Sequence, residues 1–362
     1  MSSTIDTDIQ ATGFAASIIE NGASTFASYA TNLLLERHPR LGECFPPDAM
    51  EGWKMCLTQR LLELSAALEV DEAALFVGRV RWSDKAFRAR GIPTDDLRLA
   101  FETLGEILHK ELPPQATPAV DQYFELGLQA IAEGSADGST DEFGLDPALA
   151  RDRLALEYLL TVLEGDTQKA IQQVIDAVEG GLSVQQAYLE VLAPAQTEIG
   201  RMWHRDEVGI AEEHLVTSTT RKLMAILSYK AASKNSCGKT VVAAAVSGNI
   251  HDVGIQTVAD FFVMDGWKVI PLGANVPPEE ISMAVQYFNA QLLVLSATLS
   301  AQLRPMRQTI ETVHDLRDRQ VQIMVGGQAF NEAPELWRKL GADGYTASAD
   351  QAVLVGRQLV GL

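Results

Sequence analysis

Three short stretches hold the residues able to do chemistry. The first, "GNIHDVG" (Gly248 to Gly254), places His251, one of only six histidines, in a glycine-flanked turn directly after the apolar run "TVVAAAVS". A histidine there offers a neutral imidazole nitrogen to a metal, and glycines at 248 and 254 let a large ligand approach the backbone. On spacing alone, a loop histidine capping the following helix reads equally well. A phosphate loop is excluded, because no Gly-Lys-Ser/Thr follows. The second stretch, "RMWHRDEVGIAEEHLV", holds Trp203, His204, Glu213 and His214. Its "RDEVG" segment breaks the helical pattern, placing Trp203 at one helix end and Glu213-His214 in the first turn of the next. The third, "RVRWSDKAFRAR", sets Arg79, Arg81, Arg88 and Arg90 around Trp82 and Phe87. Guanidiniums suit carboxylates and aromatic slots suit flat apolar ligands, while the same pattern also describes the solvated basic face of an amphipathic helix.

The elements that must position these residues fall into three groups. After residue 238, the β-rich runs "TVVAAAV", "KVIPLG", "LLVLSATL", "QIMVGG" and a weaker "GYTA" alternate with helical stretches starting near Gly254, Pro278, Pro305 and Pro334. Strands that are apolar throughout and alternate with helices predict a doubly wound parallel sheet covered on both faces, residues 236–362. In such sheets ligands sit beyond the carboxyl ends of the strands, at a topological switch point, and "SGNIHDVG" lies at one of those ends. Residues 148–235 hold four helical stretches joined by short Gly/Asp segments, which predicts a four-helix bundle, with Pro194 kinking the third helix. The polar run at residues 132–147, "AEGSADGSTDEFGLDP", offers no apolar face and reads as a linker. Residues 1–131 show helical periodicity without sustained alternation and read as an all-α domain, in which Thr94 is the expected N-cap of the helix after "GIP".

Bulk properties narrow the function. With 362 residues the chain exceeds the size of a single core, about 250 residues. A net charge of −19 argues against direct nucleic-acid binding. No apolar run reaches the roughly 18 residues of a membrane span, and the N-terminus lacks the pattern of a secretory signal, so a cytoplasmic location is expected. Cys44, Cys56 and Cys237 are odd in number and widely spaced, which predicts free thiols. No set of nucleophile, base and orienting group is present, and an enzyme is not expected.

The C-terminal stretch "AAAVSGNIHDVGIQTVADFF … LLVLSATLS … QIMVGGQAF … LGADGY" resembles the cobalamin-binding domain of methionine synthase and corrinoid proteins. That family carries Asp-x-His-x-x-Gly, a later Ser-x-Leu or Ser-x-Thr and a Gly-Gly pair. Here Asn249-Ile-His251-Asp252-Val-Gly254, Ser296-Ala-Thr298 and Gly326-Gly327 stand in their place. The resemblance implies that His251 is the lower axial ligand to cobalt, with Ser296, Thr298, Gly326 and Gly327 lining the slot for the cofactor's nucleotide tail. Asn249 departs from the family's carboxylate: it can accept from the histidine ring but cannot take up a proton.

Trp203 followed by Glu213-His214, in a bundle before a cobalamin domain, resembles the adenosylcobalamin-dependent photoreceptors of the CarH type. The resemblance implies that Trp203 is a lid on the upper face, that Glu213 and His214 contact the adenosyl group, and that His204 binds cobalt after photolysis. The stretch around "RVRWSDKAFRARGIPTDDL" looks like a globin-like sensor domain, and the three-part architecture resembles the photocobilins, which add biliverdin. By that resemblance Arg79, Arg81, Trp82 and Arg88 are the candidate bilin residues. The expected protein is a light sensor holding adenosylcobalamin and biliverdin, homo-oligomeric as a dimer or light-dependent assembly, with a separate signalling partner and no membrane contact. The alternatives are a corrinoid methyl carrier and a cobalamin-binding adaptor without photochemistry.

Overall fold

The computed structural model describes residues 2–45, 47–136, 145, 149–231, 234–316, 321–331, 333 and 335–362. The chain divides into two compact units. One comprises residues 1–138 with the segments 299–304 and 328–340; the other comprises 139–298, 305–327 and 341–362.

The first unit is built on five helices: α1 (Ser2–Arg37), α2 (Ala49–Glu69), α3 (Ala73–Ala89), α4 (Thr94–Glu111) and α5 (Thr117–Ala136). Its core includes Trp53 and an aromatic trio, Phe76, Phe101 and Phe124, with ring centroids 5.8–6.2 Å apart. α5 runs through residues 132–136, which the sequence reading gave to the linker. Gln129 and Arg81 both bind Glu133 there, giving that turn partners that composition does not reveal. Residues 137–144, 146 and 147 of the expected linker lie outside the described residues. Thr94 does not cap α4: Pro93 holds the N-cap position, and the Thr94 hydroxyl donates to buried Asp84 at 2.8 Å.

The second unit joins a helical bundle to an α/β sheet. The bundle consists of α6 (Ala150–Leu163), α7 (Thr167–Glu179), α8 (Val184–Gln186) continuing through a π-helical segment (Ala187–Leu192) into α9 (Ala193–His204), and α10 (Ile210–Lys230). Asp166 accepts from the Lys169 N–H at the start of α7, and Ser183 and Gln186 cap α8 reciprocally. Pro194 does not break the third helix. Its missing N–H is accommodated in the first turn of α9, directly after the π-segment widens the helix.

Five parallel strands follow: β1 (Thr240–Val246), β2 (Lys268–Val276), β3 (Leu292–Ser296), β4 (Gln322–Gly326) and β5 (Gly344–Tyr345), in the order β2-β1-β3-β4-β5. Their connections contain α11 (Val253–Met264), α12 (Pro278–Tyr287), α13 (Leu303–His314) and α14 (Leu336–Lys339), and α15 (Ala349–Leu359) closes the chain. Val241 through Val246 are all buried, because β1 is covered on both faces. α11 is apolar nearly all round for a comparable reason. Ile255, Ala259 and Phe262 pack on the sheet, while Phe261 and Met264 join the bundle core with Tyr188, Leu223 and Leu227.

Candidate functional site

β1 and β3 are neighbours whose connections leave toward opposite edges of the sheet, so the loops after them meet at its switch point. After β1 the chain turns at Gly248 with φ +78°, a conformation that favours glycine. Asn249 then sits fully buried over the end of β3. Its Nδ2 donates to the Ser296 carbonyl at 3.0 Å, which turns Oδ1 toward His251. Oδ1 accepts the His251 backbone N–H at 3.1 Å and faces ring Nδ1 at 3.2 Å. An amide oxygen can only accept, so Nδ1 carries the proton and Nε2 keeps its lone pair. Burial pushes the His251 pKa below its ordinary value, against the charges of Glu213 and Asp252. The ring is therefore held in the neutral form that binds metals.

Two braces of this turn were missed by sequence reasoning. Asn275, at the end of β2 with φ +54°, accepts the Gly248 N–H at 2.7 Å and donates its own N–H to the Asn249 carbonyl at 2.9 Å. Its only signal was an asparagine near the end of a strand, where left-handed backbone is tolerated. Arg221 of α10 grips Asp252 Oδ1 through Nε at 3.0 Å and Nη2 at 2.6 Å, so Asp252 at the start of α11 serves as an anchor rather than a cap. Nothing in local spacing announces that pair.

The ends of β3 and β4 meet backbone to backbone. A Cβ at Gly327, where φ is +103°, would stand 2.2 Å from the Ala297 carbonyl, and one at Gly326 would stand 2.9 Å from that of Thr346. Side chains are thus excluded from this part of the edge, while Ser296 is buried and Thr298 half-buried beside it.

Across the switch point stands the bundle. Trp203 and His204 end α9 with their rings edge to face, 5.5 Å between centroids. After Asp206, Glu212 accepts the Gly209 N–H and α10 begins, carrying Glu213 and His214 in its first turns. Glu213 Oε2 lies 2.6 Å from His214 Nδ1, and its Oε1 accepts from Thr217 at 2.7 Å. α10 is docked against the His251 loop further along its length, through Arg221 and Asp252. The expected break between Trp203 and Glu213 is present.

On α3, in the first unit, the residues expected at a bilin already have partners. Arg79 pairs with fully buried Glu63 at 3.2 Å and stacks 4.3 Å from the Trp82 ring centroid. Arg81 pairs with Glu133 at 3.2 Å, and Arg88 with buried Asp84 at 2.9 Å. Ligand carboxylates would have to compete with these acids. Cys44, Cys56 and Cys237 are free thiols. His109 faces Asp121 at 2.8 Å on the surface.

These features fit a corrinoid. The chain supplies one neutral imidazole of fixed tautomer, and a Cβ at Gly248 or Gly254 beside it would meet open space. It also supplies a strand edge cleared of side chains. No cluster of three or more His, Cys, Asp or Glu that could cage a metal occurs among the described residues, and a metal held in a macrocycle needs only an axial nitrogen. Fold and site together define a cobalamin-binding protein.

The sequence pattern of the B12 binding domain matches residues 239–354, and a second B12 binding domain pattern matches 154–228. Dimethylamine corrinoid protein 3 of Methanosarcina mazei is 32% identical over 123 residues, covering 33% of this chain and 71% of that protein. The HTH-type transcriptional repressor CarH of Myxococcus xanthus is 25% identical over 201 residues, 55% of this chain and 66% of the repressor. The monomethylamine corrinoid protein of Methanosarcina barkeri shares the fold, with TM-score 0.51 and 18% identity over 58% of this chain and 100% of that one. The chain belongs to the family of B12-binding corrinoid proteins.

Proposed function

We propose that the protein is a cobalamin-dependent light sensor, found in the cytoplasm, that takes adenosylcobalamin between its bundle and its sheet. The observation that carries this reading is the Arg221–Asp252 contact, which docks α10, the helix that carries Glu213 and His214 at its start, against the His251 loop, with Trp203 and His204 at the end of the preceding helix. The likeness to CarH along 55% of the chain supports it. When bound, adenosylcobalamin supplies a cobalt–carbon bond that light breaks. His251 would hold the cobalt through Nε2, and Asn249 would orient its ring. Trp203 covers the upper face, and Glu213 with His214 binds the adenosyl group. Asp252 and Gly254 line the corrin side of the loop; Ser296, Thr298, Gly326 and Gly327 take the nucleotide tail. His204 would offer a nitrogen to the cobalt once the adenosyl group is gone.

In this reading the helical first unit is a globin-like sensor domain carrying biliverdin near Arg79, Arg81, Trp82 and Arg88. That part rests on the resemblance of its sequence. Losing the adenosyl group reshapes the bundle surface, shifts the homo-oligomeric state and alters contact with a signalling partner, a population shift driven by differential contacts.

The test is the visible spectrum of the full chain loaded with adenosylcobalamin and biliverdin, in the dark and after green light, alongside sedimentation. Loss of the alkylcobalamin bands with a change in assembly is expected. His204→Ala should retain dark binding yet fail to form the bis-nitrogen product. The corrinoid relatives favour a second reading, a methyl carrier. Green light that leaves sedimentation unchanged, together with methyl transfer to a partner enzyme, would establish it instead.

A further inference from the structure

Tyr188, in the π-helical segment, has one hydroxyl proton and two close oxygens. Its Oη lies 2.9 Å from the Met224 carbonyl on α10 and 2.7 Å from Asp260 Oδ2 on α11. Two oxygen–oxygen contacts of that length call for two protons, because facing lone pairs repel. The other carboxyl oxygen shows where the second one comes from. Asp260 Oδ1 accepts from Ser228 Oγ at 3.1 Å and Gln256 Nε2 at 2.9 Å, filling both lone pairs as the carbonyl oxygen of an acid would.

We propose that Asp260 binds a proton at neutral pH and that this neutral carboxyl, donating from Oδ2 to Tyr188 while Tyr188 donates to Met224, ties the bundle to α11. The tie spans three elements through one buried side chain, itself 5% exposed. It regulates the seating of the bundle that the light-sensor reading uses, and it stands whether or not that reading does.

The surroundings favour the neutral form. Burial pushes the Asp260 pKa up, against the hydrogen bonds that Tyr188, Gln256 and Ser228 would give to the ionised form. The nearby charges are committed elsewhere. On α10, Arg221 binds Asp252 and Lys230 binds Glu179. Lys234 and Arg357, the latter on α15, bind Asp265. Lys268 of β2 lies over the Phe288 ring, β1 carries no ionisable side chain, and Tyr229 points to solvent. Protons still have a route, because Asp260, Ser228 and Gln256 line a cleft of about 550 Å³ between α10 and α11. An acid whose folded pKa is raised contributes stability that is fully present below its unfolded value, near about pH 4, and that is lost as pH rises through the folded one. Alkaline conditions therefore loosen the bundle from the sheet.

Infrared spectroscopy of the full-length protein labelled with ¹³C-aspartate tests the proposal. The expected result at neutral pH is a protonated-carboxyl C=O band that moves with the label, vanishes in Asp260→Asn and is displaced in Tyr188→Phe. Asp260→Asn, whose amide N–H can replace the acid proton toward Tyr188, should match wild type at acid pH and lose the part of the wild-type decline in thermal midpoint that runs from about pH 4 up through the folded pKa. Should that variant not fold, the wild-type band and its displacement in Tyr188→Phe still decide. Absence of a label-sensitive band at neutral pH, or a band that neither substitution alters, overturns the proposal.

Discussion

Asn249 performs a task that a carboxylate could not. Its Nδ2 satisfies the Ser296 carbonyl while its Oδ1 holds both N–H groups of His251. Aspartate would set a negative oxygen against that carbonyl in a site with no solvent exposure, so the departure from the family motif has a structural reason. Asn249→Ala should leave the carbonyl and ring unpartnered and lower stability by about 1–3 kcal/mol. With the ring no longer oriented, cobalamin affinity should fall roughly 10–100-fold, as for other groups that orient a metal ligand. A spectral titration that finds wild-type affinity in this variant would refute the role. His251, Asn249 and Asp252 were legible because they share one short loop. Asn275 and Arg221 were not, since they reach that loop from β2 and α10 and only the folded chain brings them there.

Helices and strands were legible where one physical pattern dominated. β1 coincides with its apolar run because it is buried on both faces. β2 runs past "KVIPLG" to Val276, beyond the point where Gly273 and Asn275 obscure the pattern, because its register against β1 shifts near Ala243 and Ala244. The π-segment could not be foreseen from Pro194, since a missing N–H predicts a disturbed bond and not the form of its repair. α5 gave no distinct signal, and its last turn hides in polar residues. The junction of bundle and sheet also makes a prediction. Burial alone would raise the Asp265 pKa, but hydrogen bonds from Lys234 at 2.6 Å, Arg357 at 2.9 Å and Trp267 at 3.2 Å hold it below the ordinary carboxylate value. A lowered folded pKa contributes stability above the unfolded value, near about pH 4, and that contribution disappears as pH falls through the folded one. Acid unfolding of Asp265→Asn should accordingly show a shallower loss of stability below about pH 4 than wild type. Superimposable acid limbs would mean that the three donors contribute nothing net.

The two units are interleaved along the chain, which sets an expectation for the protein as a whole. The first unit includes residues 299–304 and 328–340, and these directly continue Ser296-Ala297-Thr298 and Gly326-Gly327. Within that unit Arg304 pairs with Glu20. Lys339 donates to the Asp71 carbonyl at 3.0 Å and pairs with Glu72 at 2.9 Å. The monomethylamine corrinoid protein aligns over its full length with only 58% of this chain, so that relative forms the shared fold without a counterpart to the remainder. Here the two segments have acquired partners on the N-terminal helices. A fragment of residues 139–362 would keep every residue of the bundle and sheet but strip those partners from the segments that follow Ser296-Ala297-Thr298 and Gly326-Gly327. We expect it to bind cobalamin more weakly than the full chain and to melt earlier, by roughly 2–4 °C for each kcal/mol lost. Restoring only the charge contacts should not rescue it, because exposed ion pairs contribute little alone; the packed helices are required. Equal affinity and an unchanged melting temperature in the fragment would instead make the N-terminal helices an independent module, with any signal between them and the cobalamin site carried by another route.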